Sequence, residues 1–330
     1  MTHVAINGFG RFGRTVLKKL LQNKNLIIVG INDLTDPKTL AHLFKYDSIH
    51  GKFDGTVSAS EKAIIINNQT IPVYAEKDPA MLPWKELQVD VVIESTGRFT
   101  KADLAKAHIK AGARKVIISA PGSGNLKSVV LGVNENILDG SEEIISNASC
   151  TTNNAAPMIK ILQDNWGVES AYITTVHAYT GDQNIHDAPH KDLRRARAAA
   201  QSIIPTTTGA AKAVTEIFPD LKGMIGGAGI RVPVIDGSIT DITCILKHDA
   251  TVEAINQKFL EASQGKMKGI IEYSTDPIVS GDIIGNTHSC IFASVLTSVL
   301  GKMVKVVGWY DNEMGYSTRL ADLTELVGKQ

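Results

Sequence analysis

Apolar residues in the first part of the chain fall into short β-rich runs that alternate with stretches at helical spacing. Residues 4–7 and 26–32 read as strands, and between them Phe12, Val16, Leu17, Leu20 and Leu21 recur along one helix face over 11–22. Residues 89–94 form a further strand pattern. A helix over 101–111 follows, with Thr100 as its expected N-cap and Gly112 just past its end. A strand over 115–119 stops at Ala120-Pro121-Gly122, and residues 47–72 are less regular, with room for an inserted hairpin. Buried strands interleaved with helices predict an α/β fold built on a mostly parallel, doubly wound sheet.

The rhythm changes near Cys150. A helix pattern over 151–162 leads to strands over 171–177, 230–234, 240–246 and 303–309, with another helix over 252–263. Longer strands and fewer helices predict a second domain of α+β type with a largely antiparallel sheet. Residues 178–205 form a long segment rich in His, Asp and Arg, the mark of a functional or interfacial loop.

At 330 residues and 43% hydrophobic, the chain can fill two cores. Basic and acidic residues balance at 34 each, so bulk charge predicts neither nucleic acid nor an anionic membrane as partner. Any phosphate must then be held by locally placed groups. The N-terminus shows no basic stretch leading into a long apolar run, and the aliphatic runs are too short to span a bilayer. Cys150, Cys244 and Cys290 lie far apart with no CxxC pair. That predicts neither a disulfide framework nor a metal site and fits a reducing cytoplasm.

Gly8-Phe9-Gly10-Arg11-Phe12-Gly13 is a GxGxxG run, which alone is weak evidence. Here it follows a strand, opens a helix, and precedes an acid 20 residues beyond Gly13, at Asp33. That is the setting of a Rossmann dinucleotide fingerprint. Gly8 permits the tight turn, Gly10 lets backbone approach a pyrophosphate, and Gly13 lets helix and strand pack closely. The helix start offers N–H groups to phosphate. Asp33 at the end of the second strand suits a ribose and would repel a 2′-phosphate, which favours NAD over NADP. It could equally cap a turn, and both roles are compatible.

Cys150 falls at the first turn of a helix, after Ser146-Asn147-Ala148-Ser149. There the helix dipole favours a thiolate, the attacking species in acyl transfer. Cys244 and Cys290 sit in apolar strand-like runs and read as inert. His177 ends a strand one helix and one strand further on, where it could meet the thiol. Spacing alone does not separate it from a structural histidine among the nine present.

The motifs ASCTTN at 148–153, HAYTGDQ at 177–183, PHKDLRRARAAA at 189–200 and PTTTGAAKAV at 205–214 resemble the phosphorylating glyceraldehyde-3-phosphate dehydrogenase family. So do GFGRFGR at 8–14, NDL at 32–34, ESTGRFT at 94–100, RVPV at 231–234 and WYDNEMGYS at 309–317. The resemblance runs through the whole chain. It implies a cytoplasmic, glycolytic oxidoreductase that converts glyceraldehyde 3-phosphate to 1,3-bisphosphoglycerate with NAD and inorganic phosphate. Cys150 would carry a thiohemiacetal and then a thioester, with His177 as base.

By the same resemblance the substrate phosphate lies near Thr180 and Arg231. The incoming phosphate lies near Ser149, Thr151, Thr208 and Gly209, with Arg195 between the two. Arg11 and Phe12 would serve the pyrophosphate turn beside Gly8, Gly10 and Gly13, and Asp33 the ribose. Lys77 and Ser119 would surround the cofactor, Asn312 would hold the nicotinamide carboxamide, and Tyr316 would pack on its ring. The implied domains are 1–149 and 150–314, with a last helix within 315–330 returning to the first, in a homotetramer. Without the resemblance, Lys191, Arg194, Arg195 and Arg197 read as a solvated basic face; with it, only Arg195 becomes a ligand. Asn154 departs from the family by standing where many members have a second cysteine. The nearest alternative activity is that of an erythrose-4-phosphate dehydrogenase, which shares fold and nucleophile.

Overall fold

The β-branched runs of the first part build a nine-stranded sheet in a computed structural model that describes Met1–Gln330. From one edge its strands run Lys127–Ser128, Ile144–Ser146, Lys115–Ile118, Val91–Glu94, Thr2–Asn7, Leu26–Asn32, Gln69–Tyr74, Ala63–Ile66 and Val57–Ala59. All neighbours from Lys127–Ser128 to Gln69–Tyr74 pair in parallel, and the last two strands extend the edge antiparallel. The irregular stretch thus contains the hairpin for which the sequence left room. Val4, Ala5, Ile6, Val91, Val92, Ile93, Val116 and Ile117 are fully buried, as a sheet covered on both faces requires.

The helix Arg11–Leu20 buries Val16, Leu17 and Leu20, three of the five residues whose spacing predicted it, while Phe12 and Leu21 are half-buried. The next prediction was less accurate. The helix Ala102–Lys110 is capped by Lys101 and not by Thr100, because the Thr100 carbonyl accepts the Ser123 N–H and Lys101 bridges Ser123. Two helices had no expectation at all, Pro37–Lys45 and Ala210–Ile217.

The second sheet is mostly antiparallel, in the order Ile204–Thr206, Ile225–Val232, Val168–Ala178, Ser238–Leu246, Met303–Tyr310, Cys290–Ala293 and Ile271–Ser274. Burial alternates strictly along Ser238–Leu246, with Ser238, Thr240, Ile242, Cys244 and Leu246 turned inward. The helix Cys150–Trp166 buries Ala155, Ala156, Met158, Ile159 and Leu162 and packs against this sheet.

The chain divides into two compact units. One comprises Met1–Val129, Asn136–Ala148 and Ser317–Gln330, and the other Val130–Glu135 and Ser149–Tyr316. Within the first, Glu325 accepts hydrogen bonds from Asn23 and Asn25. No helix is long and apolar enough to cross a membrane.

Candidate active site

Ser149 adopts extended backbone and accepts the Thr152 N–H on its Oγ at 3.1 Å, which starts the helix Cys150–Trp166. Cys150 is therefore the first helical residue. The strand Val168–Ala178 ends beside it and places His177 Nε2 3.4 Å from Cys150 Sγ. His177 Nδ1 lies 2.7 Å from the Ala178 carbonyl oxygen. A carbonyl only accepts, so Nδ1 carries the proton and Nε2 turns its lone pair to the thiol. Arg231 Nη1 comes within 3.1 Å of the same Nδ1, and its own hydrogen bonds go to Ala178 O at 3.0 Å and Thr180 Oγ1 at 2.8 Å.

Burial, reinforced by the Arg231 charge, pushes His177 down to about 3, so the ring is neutral at physiological pH. Burial pushes the Cys150 thiol up, against Arg231 and the Thr151 N–H and hydroxyl, which pull it down. A thiolate resting at the helix start was the sequence expectation. Burial works against that thiolate, while Arg231 and the Thr151 N–H and hydroxyl work for it. Burial alone pushes Cys244 up to about 12 and raises Cys290 as well. Neither has a base beside it of the kind Cys150 has in His177.

Tyr310 and Ser238, not singled out in the sequence, brace this pair. Tyr310 OH bridges Thr151 Oγ1 at 2.9 Å and Thr175 Oγ1 at 2.8 Å, and its ring meets His177 edge-on with centroids 5.9 Å apart. Ser238 Oγ accepts the Ala178 N–H at 3.0 Å and donates to Asn312 Oδ1 at 2.6 Å, so the strand end carrying His177 is tied to Asn312. Asn154, fully buried, donates to the Ser289 and Trp309 carbonyls at 3.3 and 3.2 Å and fastens the helix to the sheet. Next to Asn312, Asp311 Oδ1 accepts the Glu313 and Met314 N–H groups at the start of the last helix. Asp236 is pushed up to about 8 by burial and by the Asp311 and Glu313 carboxylates. Tyr316 is buried.

The candidate phosphate residues form two groups. Thr180 and Arg231 are hydrogen-bonded, and Asp182 joins them to Arg195 through the Thr180 hydroxyl and an Arg195 Nη1–Asp182 Oδ2 contact of 2.9 Å. Ser149 and Thr151 sit at one helix start. Thr208 and Gly209 sit at the start of Ala210–Ile217, where the Thr208 hydroxyl accepts the Ala210 N–H at 3.2 Å, and the two helices pack together. Thr151 is buried, with its hydroxyl in contact with that of Tyr310 at 2.9 Å. Lys191, Arg194 and Arg197 are exposed, and Arg197 pairs with Asp187, in keeping with a solvated basic face.

In the first unit a cleft of about 580 Å³ is lined by Gly8, Gly10, Asp33 and Lys77, together with Glu76, Ser95, Thr96 and Phe99. Asp33 plays the capping part: Oδ2 accepts the Phe9 N–H inside the glycine turn at 2.7 Å, and Oδ1 accepts the Thr35 N–H. Gly8 has φ +92, and a Cβ there would meet Thr96 N at 2.7 Å; a Cβ on Gly13 would meet Gly8 O at 2.2 Å. Gly10 differs, since a Cβ there would meet nothing within 4 Å. The backbone at Gly10 is thus bare toward the cleft, and no side chain caps the helix that begins at Arg11. A dinucleotide fits that arrangement. Arg11, Phe12, Gly13 and Ser119 are not in the cleft wall; Arg11 pairs with Asp47 at 2.8 Å, and the Ser119 N–H donates to Glu94 O. Ser95, Thr96 and Phe99 were readable only as part of the ESTGRFT motif, with no role attached.

Comparison with known proteins agrees with both units. Residues 2–102 match the glyceraldehyde 3-phosphate dehydrogenase NAD binding domain, and residues 149–312 match the C-terminal domain of the same family. The chain is 55% identical to a glyceraldehyde-3-phosphate dehydrogenase of Thermotoga maritima over 332 residues, covering 100% of both chains. It is 51% identical to that of Geobacillus stearothermophilus, covering 99% of this chain and 98% of the relative. For Clostridium pasteurianum the identity is 50%, with 100% and 99% covered. With its fingerprint cleft and its full-length match, this NAD-dependent dehydrogenase belongs to the glyceraldehyde-3-phosphate dehydrogenase family.

Proposed function

We propose that the protein oxidises D-glyceraldehyde 3-phosphate and couples the oxidation to uptake of inorganic phosphate, giving 1,3-bisphosphoglycerate. The observation that carries this reading is the 3.4 Å contact between Cys150 Sγ and the unprotonated Nε2 of His177, beside Arg231. As sulfur attacks the aldehyde carbon, its proton passes to Nε2 and from there to the carbonyl oxygen, which gives a thiohemiacetal and leaves Nε2 free again. His177 then takes the hydroxyl proton as the carbon is oxidised, leaving a thioester on Cys150. Bound NAD supplies the hydride acceptor for that oxidation. Inorganic phosphate attacks the thioester carbon, the C–S bond breaks, and the thiol is regenerated. A thioester stays reactive enough for phosphate to intercept, which an oxygen ester would not.

Arg231 and Thr180 are assigned to the substrate phosphate, and Ser149, Thr151, Thr208 and Gly209 to the attacking one, with Arg195 shared. Charge-assisted hydrogen bonds from the guanidinium groups give these sites their strength. Arg231 depresses the basicity of His177. A phosphate dianion paired with Arg231 offsets that charge, so substrate binding primes the base. Gly8, Gly10, Asp33 and Lys77 are assigned to the adenosine and pyrophosphate end of NAD, and Asn312 and Tyr316 to the nicotinamide. Arg11, Phe12 and Gly13 are assigned to the pyrophosphate turn, and Ser119 to the surroundings of the cofactor. The assigned domains are 1–149 with the last helix, and 150–314, in a cytoplasmic homotetramer.

NADH formation from glyceraldehyde 3-phosphate, followed with phosphate varied and with arsenate in its place, tests the reading. A rate that rises with phosphate and is sustained by arsenate supports it. A rate indifferent to both, together with faster turnover of erythrose 4-phosphate, would overturn it in favour of the erythrose-4-phosphate activity.

A further inference from the structure

Asp182 places a negative charge among the residues assigned to an anion. Its Oδ1 accepts the Thr180 hydroxyl and its Oδ2 accepts Arg195 Nη1 at 2.9 Å. Thr180 in turn accepts from Arg231 Nη1 at 2.8 Å. One carboxylate therefore occupies donors on both sides of the group that would hold a phosphate. It is locked there by its turn, since the Gln183 N–H donates to Thr180 O at 2.9 Å and Gln183 Oε1 accepts the Thr180 N–H. Arg195 is further fixed by Thr206 Oγ1 at 3.0 Å. A carboxylate repels a phosphate dianion and offers it no donor, so Asp182 competes for the donors such an anion needs.

We propose that Asp182 is a specificity-determining residue, an internal counter-anion that stands in for the substrate phosphate in the resting site. It keeps Thr180 and Arg195 aimed while the site is empty, and it loosens the hold on every anion so that a doubly phosphorylated product can leave. This rests on the assignment of Thr180, Arg195 and Arg231 to phosphate beside a nucleophilic Cys150. The Asp182 side chain is 46% exposed, so water and salt screen part of its effect.

The test compares alkylation of Cys150 by iodoacetate, an anion, and iodoacetamide, its neutral counterpart, on the full chain. Asp182→Asn should raise the iodoacetate-to-iodoacetamide rate ratio by about 3–10-fold, with KM for phosphate falling by a similar factor and the difference shrinking at raised salt. Asp182→Glu, which keeps the charge, should hold the ratio near that of the parent. General damage to the site slows both reagents together and leaves the ratio alone, in which case the neutral Asp182→Ser decides. A ratio within twofold of the parent in the neutral variants overturns the inference. Failure of either reagent to label Cys150 in the unsubstituted protein sinks the underlying assignment of the nucleophile instead.

Discussion

A single carbonyl, that of Ala178, decides which nitrogen of His177 bears the proton and so which one can take it from sulfur. His177→Asn keeps a polar group of similar reach but removes that lone pair. Its hydride-transfer rate, read as the first turnover of NADH, should fall by about 10²–10⁴-fold with NAD affinity unchanged. A loss of only a few-fold would mean the ring is structural. Cys150 was legible in the sequence because it stands at the start of a locally encoded helix, whereas His177, at a strand end, was singled out only through the HAYTGDQ resemblance. Tyr310 and Ser238 were not. Tyr310 acts on a threonine 159 residues away, and Ser238 reaches its partners across 60 and 74 residues. Pairings of that range are written in sheet register and not in local spacing.

Elements were readable where an apolar stripe was long and their caps were conventional. Ser149 is such a cap. Ser149→Ala should cost about 1 kcal/mol in chemical unfolding and slow iodoacetamide labelling of Cys150, because the first helical turn frays. Stability and labelling both unchanged would show that packing alone holds that turn. The helix Pro37–Lys45 carried a signal that went unused, Asp36 accepting the Thr39 N–H ahead of Pro37 at the first helical position. The helix Ala210–Ile217 carried little, since its eight residues start from a glycine, with only the Thr208 hydroxyl accepting the Ala210 N–H at 3.2 Å. So short a helix is marginal by itself and owes its existence to packing on its neighbours. In the fingerprint turn, Gly13→Ala forces a Cβ into the Gly8 carbonyl and should lower stability and NAD affinity together. Gly10→Ala should lower NAD affinity alone, measured by calorimetry beside thermal unfolding; a comparable fall in melting temperature would refute the distinction.

On the scale of the whole molecule, acid and alkali act through opposite groups. His177 is held near 3 against 6.5 unfolded, so its contribution is complete above pH 6.5 and is lost as pH falls toward 3. Asp236 is held near 8 against 3.8, so its contribution is complete below pH 3.8 and is lost as pH rises toward 8. Between about pH 4 and 6.5 the two slopes, each of about 1.4 kcal/mol per pH unit, oppose one another. Relative to the parent, Asp236→Asn should flatten the decline in stability between about pH 6.5 and 8, and denaturation across that range checks it. An unchanged slope would show that Asp236 is ionised in the fold. The broad fold was legible because the two strand rhythms differ, parallel runs first and longer alternating strands after. The crowding around Gly8 and Gly13, against open space at Gly10, separates two histories of selection. In a descendant that had lost its need for the nucleotide, backbone contact would still hold the first and third glycines in place, while the middle one would be free to drift.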